Sequence, residues 1–155
     1  MIFKMNPASI EVASAILAIQ IPAYQVEAKY INSVAIPRLY DTVKDIQNCN
    51  ETFYGYILEN KLIGFISFVN EGAIIDIHRL VVSPDYFHRR IATKLLLHLF
   101  SASPDTSKYI VQTGKANIPA LSLYKKHGFV EVNDIVVPDG IVLTQLEKDR
   151  KKQIV

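Results

Sequence analysis

The chain carries little net charge: 17 Lys and Arg stand against 15 Asp and Glu, for a net +2. That balance creates no global field toward polyanions, so no nucleic acid partner is expected. Cysteine is nearly absent. A lone Cys49 excludes an internal disulfide and suits a reducing compartment. No apolar run reaches the roughly 18 residues of a membrane-spanning helix. The N-terminus lacks a basic region followed by an apolar core and a small-residue cleavage site, so no signal peptide is expected. No His or Cys cluster has the spacing of a metal site, and there is no repeat, linker or low-complexity segment. These absences predict one cytoplasmic domain over residues 1–155, monomer or homodimer, with no metal and no membrane association.

What is there is an ordinary globular mixture. Half the residues are hydrophobic and 21% are charged, far from the composition of disordered chains. A domain of this length buries roughly 70% of the surface of its unfolded chain.

Ile2-Phe3-Lys4 reads as a short strand. Asn6 is the expected N-cap of a helix with Pro7 at its first position, and Ile10, Ala13, Ile16 and Leu17 share one face. Pro22 is expected to end that helix near Ile19, with a second helix over Ala23–Ala28. Pro37 breaks the chain again before a short helix from Tyr40 to Gln47, with Val43 and Ile46 inward. The texture then changes. Phe53–Leu58 and Leu62–Phe68 alternate as strands around the polar turn Glu59-Asn60-Lys61, and Asn70-Glu71-Gly72 turns into a third antiparallel strand. Further on come a helix from Arg90 to Phe100, a strand at Tyr109–Gln112, and a helix over Ala120–His127 closed by Gly128. Strands at Val130–Val137 and Ile141–Leu146 flank the Pro138-Asp139-Gly140 turn. The tail Glu147–Lys152 is expected to be solvated. This order predicts an α+β (mixed α/β) fold with helices on both faces of the sheet.

One stretch concentrates chemistry: Ile74 to Phe100, IIDIHRLVVSPDYFHRRIATKLLLHLF. Its strand delivers the basic loop His88-Arg89-Arg90 onto a helix N-terminus, where unpaired N–H groups and the positive end of the dipole converge on one point. That arrangement suits an anion. Alternation places Asp76 and His78 on one face of the strand, with Ile75, Ile77 and Arg79 on the other.

Three signatures follow one another along the chain. Leu62-Ile63-Gly64-Phe65 precedes the strand, Leu80 to Ala92 forms the strand–loop–helix, and Asn117 leads a helix carrying Tyr124 and closed by His127-Gly128-Phe129. In this order they resemble the GNAT N-acetyltransferase superfamily over nearly the whole length. The resemblance implies the family's acyl-CoA N-acyltransferase fold, with a mostly antiparallel central sheet, and acetyl-CoA as co-substrate. The family's pyrophosphate loop has glutamine or arginine, two variable residues, glycine, one variable residue, then glycine or alanine. Phe87 and Arg90 stand where the first residue and first glycine would be, and only Ala92 fits the ending. A negative φ at Arg90 would let its N–H serve in the glycine's place.

The resemblance also implies roles. His88, Arg89, Arg90, Ile91, Ala92 and Thr93 would hold the pyrophosphate. Leu80, Val81 and Val82 would pair with the pantetheine as a strand edge does, and Asn117 would contact it. Asp76 or His78 would serve as general base. Tyr124 would protonate the departing thiolate, whose pKa resembles the roughly 8.5 of cysteine. Tyr24, Glu27 and Arg38 are candidates for contact with the amine acceptor. The implied activity is acetyl transfer from acetyl-CoA to a primary amine. The departures at Phe87 and Arg90 leave open an acyl-CoA-binding regulatory module with weak or no turnover. A third reading, action on a protein N-terminus or an aminoacyl-tRNA, gains little for tRNA from the near-neutral charge.

Overall fold

β1 (Ile2–Met5), α1 (Ile10–Ile31), α2 (Val43–Asn48), β2 (Thr52–Leu58), β3 (Lys61–Glu71) and β4 (Ile74–Val82) make up the first half of the computed structural model, which describes residues 1–150. α3 (Ile91–Ala102), β5 (Lys108–Gly114), α4 (Ile118–Lys126), β6 (Val130–Val136) and β7 (Val142–Asp149) complete it.

α1 departs from expectation at both points where proline was read as punctuation. Its cap is Ser9, whose Oγ accepts from the Val12 N–H at 3.4 Å. Asn6 instead closes a tight turn, accepting from the Ala8 N–H at 3.1 Å. Pro22 does not end the helix, which runs 22 residues through it. A proline inside a helix costs about 3 kcal/mol. Ala13, Ile16 and Ile19 offset that by burial against Phe53, Phe65 and Val81, at roughly 1.5–3 kcal/mol for each large aliphatic side chain. The expected second helix is therefore the last turns of α1. Pro37–Tyr40 forms a single 3-10 turn. α2 then starts at Val43 and not Tyr40, because Thr42 and Asp45 form a capping box: Asp45 N–H donates to Thr42 Oγ1 at 3.2 Å and Thr42 N–H to Asp45 Oδ2 at 2.8 Å.

The seven strands form one sheet in the order β1-β2-β3-β4-β5-β7-β6, antiparallel except for the parallel pair β4–β5. α1 and α2 cover one face around Phe53, Phe65 and Ile46; α3 and α4 cover the other around Leu95, Leu99, Leu121 and Tyr124. Gly64 permits the approach of α3. A Cβ there would stand 3.0 Å from Ile91 Cγ2 and 3.1 Å from the Val81 carbonyl oxygen.

Two irregularities of β4 matter for function. Ser67 pairs with Arg79 and Phe68 with Ile77, which leaves His78 as an extra residue. This bulge reverses the alternation, so Arg79 points away from the Ile75–Ile77 face on which strict periodicity placed it. The second is a parting of strands. β4 pairs with β5 only from Ile74–Lys108 to Ile77–Val111; beyond that β4 stays with β3 to Val82 and β5 with β7 to Gly114. A cleft opens between them.

The C-terminal stretch also differs from the solvated tail expected of it. β7 continues to Asp149, and Arg150 donates to the carbonyls of Phe100, Ser103 and Thr106 and to Tyr109 Oη at 2.6–2.9 Å. It thereby satisfies carbonyls at the end of α3. Lys151 and Lys152 lie outside the described residues.

Candidate active site

Where β4 leaves β5, a cavity of about 360 Å³ runs along the free edge of Leu80, Val81 and Val82 to the N-terminus of α3. Phe87 to Thr93 line one end of it, Asn117 and Leu123 one side, and Tyr24, Glu27 and Tyr30 of α1 another. All the residues expected at an acyl-CoA site, Tyr124 excepted, line this one space. The unpaired β4 edge offers backbone N–H and C=O groups to an extended amide chain. The first-turn N–H groups of α3 have no partner within the helix and face an anion at the positive end of its dipole.

The loop reaches this geometry by an unexpected route. The condition of a negative φ at Arg90 is not met: its φ is 59°, and that of His88 is 65°. Each left-handed residue of this kind costs roughly 1–2 kcal/mol. Strain of that size persists where surrounding structure imposes it, and it clusters at binding sites. The position that resembles the family's first glycine has left-handed backbone here, and an arginine adopts it. Left-handed residues on either side of Arg89 turn successive amides toward a concavity suited to an anion. Arg89 itself lies over the Tyr86 ring, 5.2 Å from its centroid.

A second cavity of about 560 Å³ lies on the other side of Tyr24 and Glu27. Its walls are the end of α1, the segment Ala35–Arg38, Asp76 to His78 of β4, Gln112 to Gly114 of β5, and the turn between β6 and β7. The structure therefore brings all three acceptor candidates, Tyr24, Glu27 and Arg38, to one cavity with Asp76 and His78. Among the described residues, Tyr24 and Glu27 are the ones that line both cavities.

Glu27 is held in place by Asn117, whose Nδ2 donates to Glu27 Oε1 at 3.0 Å. Asn117 also caps α4, its Oδ1 accepting from the Ala120 N–H at 3.3 Å. Burial raises the Glu27 carboxyl above the ordinary glutamate range, and the bond from Asn117 opposes this only in part. Tyr24 is pushed up by burial first and then by the neighbouring Glu27 carboxylate. Tyr124 is 5% exposed, packs edge-on against Phe129 at 5.3 Å between ring centroids, and lines neither cavity. Burial, with Tyr24 and Glu27 beside it, raises its hydroxyl strongly, so Tyr124 stays protonated.

Asp76 and His78 are engaged with each other, Nε2 to Oδ2 at 3.3 Å, and His78 Nδ1 lies 3.6 Å from Glu51 Oε2. The Glu51 contact is the main reason the imidazole is raised above its usual value; partial burial acts against it. Glu51 also takes Arg79 and the Ser67 hydroxyl, at 2.9 and 2.6 Å. Burial favours its neutral form, yet these partners together hold its carboxyl far below the usual range. Arg79 reaches Gln20 and Asp41 as well, at 2.8 and 3.0 Å. Sequence reading missed Glu51, Gln20 and Asp41. Nothing local marks a carboxylate in a loop as the partner of an arginine 28 positions on. The α1 wall was obscured for another reason, since Pro22 suggested a break there.

Among the described residues no group of His, Cys, Asp or Glu is arranged to hold a metal ion, and no helix is long and apolar enough to cross a membrane.

Known proteins share this architecture. The chain is 40% identical over 146 residues to the UPF0157 protein YqkA of Bacillus subtilis strain 168, a match covering 93% of this chain and 43% of that protein. The chain thus spans about two fifths of that relative's length. The PaiA N-acetyltransferase from Thermoplasma acidophilum, solved in complex with coenzyme A, superposes with a TM-score of 0.77 at 20% identity, over 97% of this chain and 99% of that one. The ribosomal-protein-S18-alanine N-acetyltransferase from Escherichia coli gives 0.75 at 17% identity, over 96% and 92%. At such identities these two likenesses concern the fold. The family model for acetyltransferases of the GNAT family matches residues 15–129, from α1 through the Gly128-Phe129 turn, and the chain belongs to that family.

Proposed function

We propose that the protein transfers an acetyl group from acetyl-CoA to a primary amine, by direct attack of the amine on the thioester while both are bound. The observation that carries this reading is the parting of β4 from β5 beside the start of α3. An extended pantetheine fits the free edge of Leu80–Val82, and a pyrophosphate fits the amides of the strained loop, with Arg89 and Arg90 adding charge. The second cavity adjoins this one and would hold the acceptor, so no acyl-enzyme is needed. Asp76, His78 and Arg38 set the charge around the incoming amine. Tyr124 lines neither cavity but lies beside Tyr24 and Glu27, which line both; kept protonated by burial, it is assigned to donate a hydrogen bond to the thiolate as the C–S bond breaks.

The complex of a CoA ligand with a GNAT protein of the same fold supports the choice of donor. The test has two stages. Calorimetric titration with acetyl-CoA is expected to give micromolar binding, and release of CoA thiol is expected with at least one member of a broad amine panel. Absence of binding overturns the reading. Binding without thiol release from any amine favours instead an acyl-CoA-binding regulatory module, the reading left open by Phe87 and Arg90 in the loop.

A further inference from the structure

We infer that Glu27 of α1, and not Asp76 or His78 of β4, removes the proton from the acceptor amine. This rests on the acetyltransferase reading and adds to it the position of the base. The thioester carbon belongs to the cavity along the β4 edge and the amine to the cavity beside it, so bond formation has to occur where the two spaces share a wall. Tyr24 and Glu27 form that wall among the described residues, and Glu27 carries the carboxylate. Asp76 and His78 border the acceptor cavity alone. They are also bound to each other, and His78 to Glu51, so the imidazole is held toward its charged form.

The surroundings of Glu27 fit the task. Asn117 Nδ2 fixes Oε1 at 3.0 Å and leaves Oε2 for the amine or for one intervening water. Burial brings the carboxyl closer to neutral pH than an ordinary glutamate, which makes it a stronger base. Asn117, Tyr24 and Tyr124 lie beside it; the other titratable groups lining its two cavities are Arg38, Asp76, His78 and Asp139 in one and Tyr30, Tyr86, His88, Arg89 and Arg90 in the other. Tyr24 and Tyr124 are both raised and stay neutral, so neither competes as a base.

The step balances without further reagents. The bound ammonium gives one proton to the Glu27 carboxylate, and the freed nitrogen lone pair attacks the thioester carbon. A C–N bond forms and the carbonyl oxygen becomes an oxyanion. Its collapse breaks the C–S bond, the nitrogen loses its second proton, and the thiolate takes up one. Glu27 returns its proton to solvent, leaving the acetamide and CoA thiol.

The experiment compares wild-type protein with Glu27→Gln, Asp76→Asn and His78→Ala, using acetyl-CoA and the best amine of the panel. The Glu27→Gln side chain keeps an oxygen for Asn117, so acetyl-CoA affinity by calorimetry is expected to change less than about threefold while kcat/KM for the amine falls at least about 100-fold. Wild-type kcat/KM is expected to rise with pH through the ionisation of Glu27. In Glu27→Gln that acid limb moves up toward the pKa of the free amine, because only the neutral amine then reacts. In Asp76→Asn and His78→Ala the limb stays in place, whatever its height. An unchanged acid limb in Glu27→Gln, or a limb that moves in Asp76→Asn or His78→Ala, overturns the assignment and leaves the acetyltransferase reading standing. A wild-type protein that binds acetyl-CoA and acetylates no amine overturns both.

Discussion

The guanidinium of Arg79 grips both carboxylate oxygens of Glu51, Nε to Oε1 at 2.9 Å and Nη2 to Oε2 at 3.1 Å, with Arg79 only 2% exposed. The same guanidinium ties β4 to Gln20 of α1 and to Asp41, just after the Ala35–Arg38 segment that lines the second cavity. Breaking a buried pair strands a charge, at about 3–5 kcal/mol. Arg79→Met is therefore expected to lose that much stability in urea unfolding. Arg79→Lys recovers only part of it, because an ammonium cannot match the two-pronged contact. Full stability in Arg79→Met would show that the network contributes nothing.

His78 gives the pair a pH signature. Its folded value is raised from 6.5, so the stability it contributes is fully present below pH 6.5 and is lost as pH rises through the folded value. Glu51 acts in the opposite sense: its folded value is depressed, so its contribution is present above its ordinary value of 4.5 and is lost only on strong acidification. Melting temperature is thus expected to fall as pH rises above 6.5, and His78→Gln is expected to flatten that fall. An identical slope in the variant would remove His78 as its source.

Backbone strain at Arg90 is separable from its charge. Arg90→Gly and Arg90→Ala both remove the guanidinium, but only glycine takes φ 59° without penalty. The glycine variant is expected to be more stable than the alanine variant by about 1 kcal/mol, with acetyl-CoA weakened in both. Equal stabilities would mean that the loop relaxes out of the left-handed region when the arginine is lost.

Gly64 offers a packing test. Adding a methyl 3.1 Å from the Val81 carbonyl oxygen forces β3, β4 and the start of α3 apart. Gly64→Ala is expected to cost about 1–3 kcal/mol, and to weaken acetyl-CoA, since β4 and the start of α3 line the cavity proposed for it. Calorimetry and thermal melts on one sample read both effects.

Tyr124→Phe is expected to lower turnover by more than it lowers acetyl-CoA affinity, because the ring packing on Phe129 survives and only the hydroxyl is lost. Unchanged turnover would take Tyr124 out of the acid role. It would point instead to Tyr24, the tyrosine that lines both cavities.

Much of this protein was legible along the chain because its causes are local. Two apolar runs around the polar Glu59-Asn60-Lys61 predicted the β2–β3 hairpin, where Glu59 and Asn60 both take left-handed backbone, at φ 51° and 63°. Gly128, at φ 92°, closes α4 as expected. The order strand, loop, helix between Ile74 and Phe100 formed as expected, since its apolar strand, its break at Ser83-Pro84 and its apolar helix each depend on neighbours only a few residues away.

Only the tertiary structure decided the rest, and the reason is the same in each case: energies between distant residues outweighed a local preference. Burial of one α1 face against β2, β3 and β4 carries the helix through Pro22. The β4 bulge turns Arg79 from the Ile75–Ile77 face to the α1 face, where it meets Glu51, a reversal that strict alternation cannot foresee. The site is settled the same way. The family resemblance already joined Asn117 to the β4 edge, but the place of Glu27 beside them, on the wall between two cavities, follows only from the packing of α1 where β4 parts from β5.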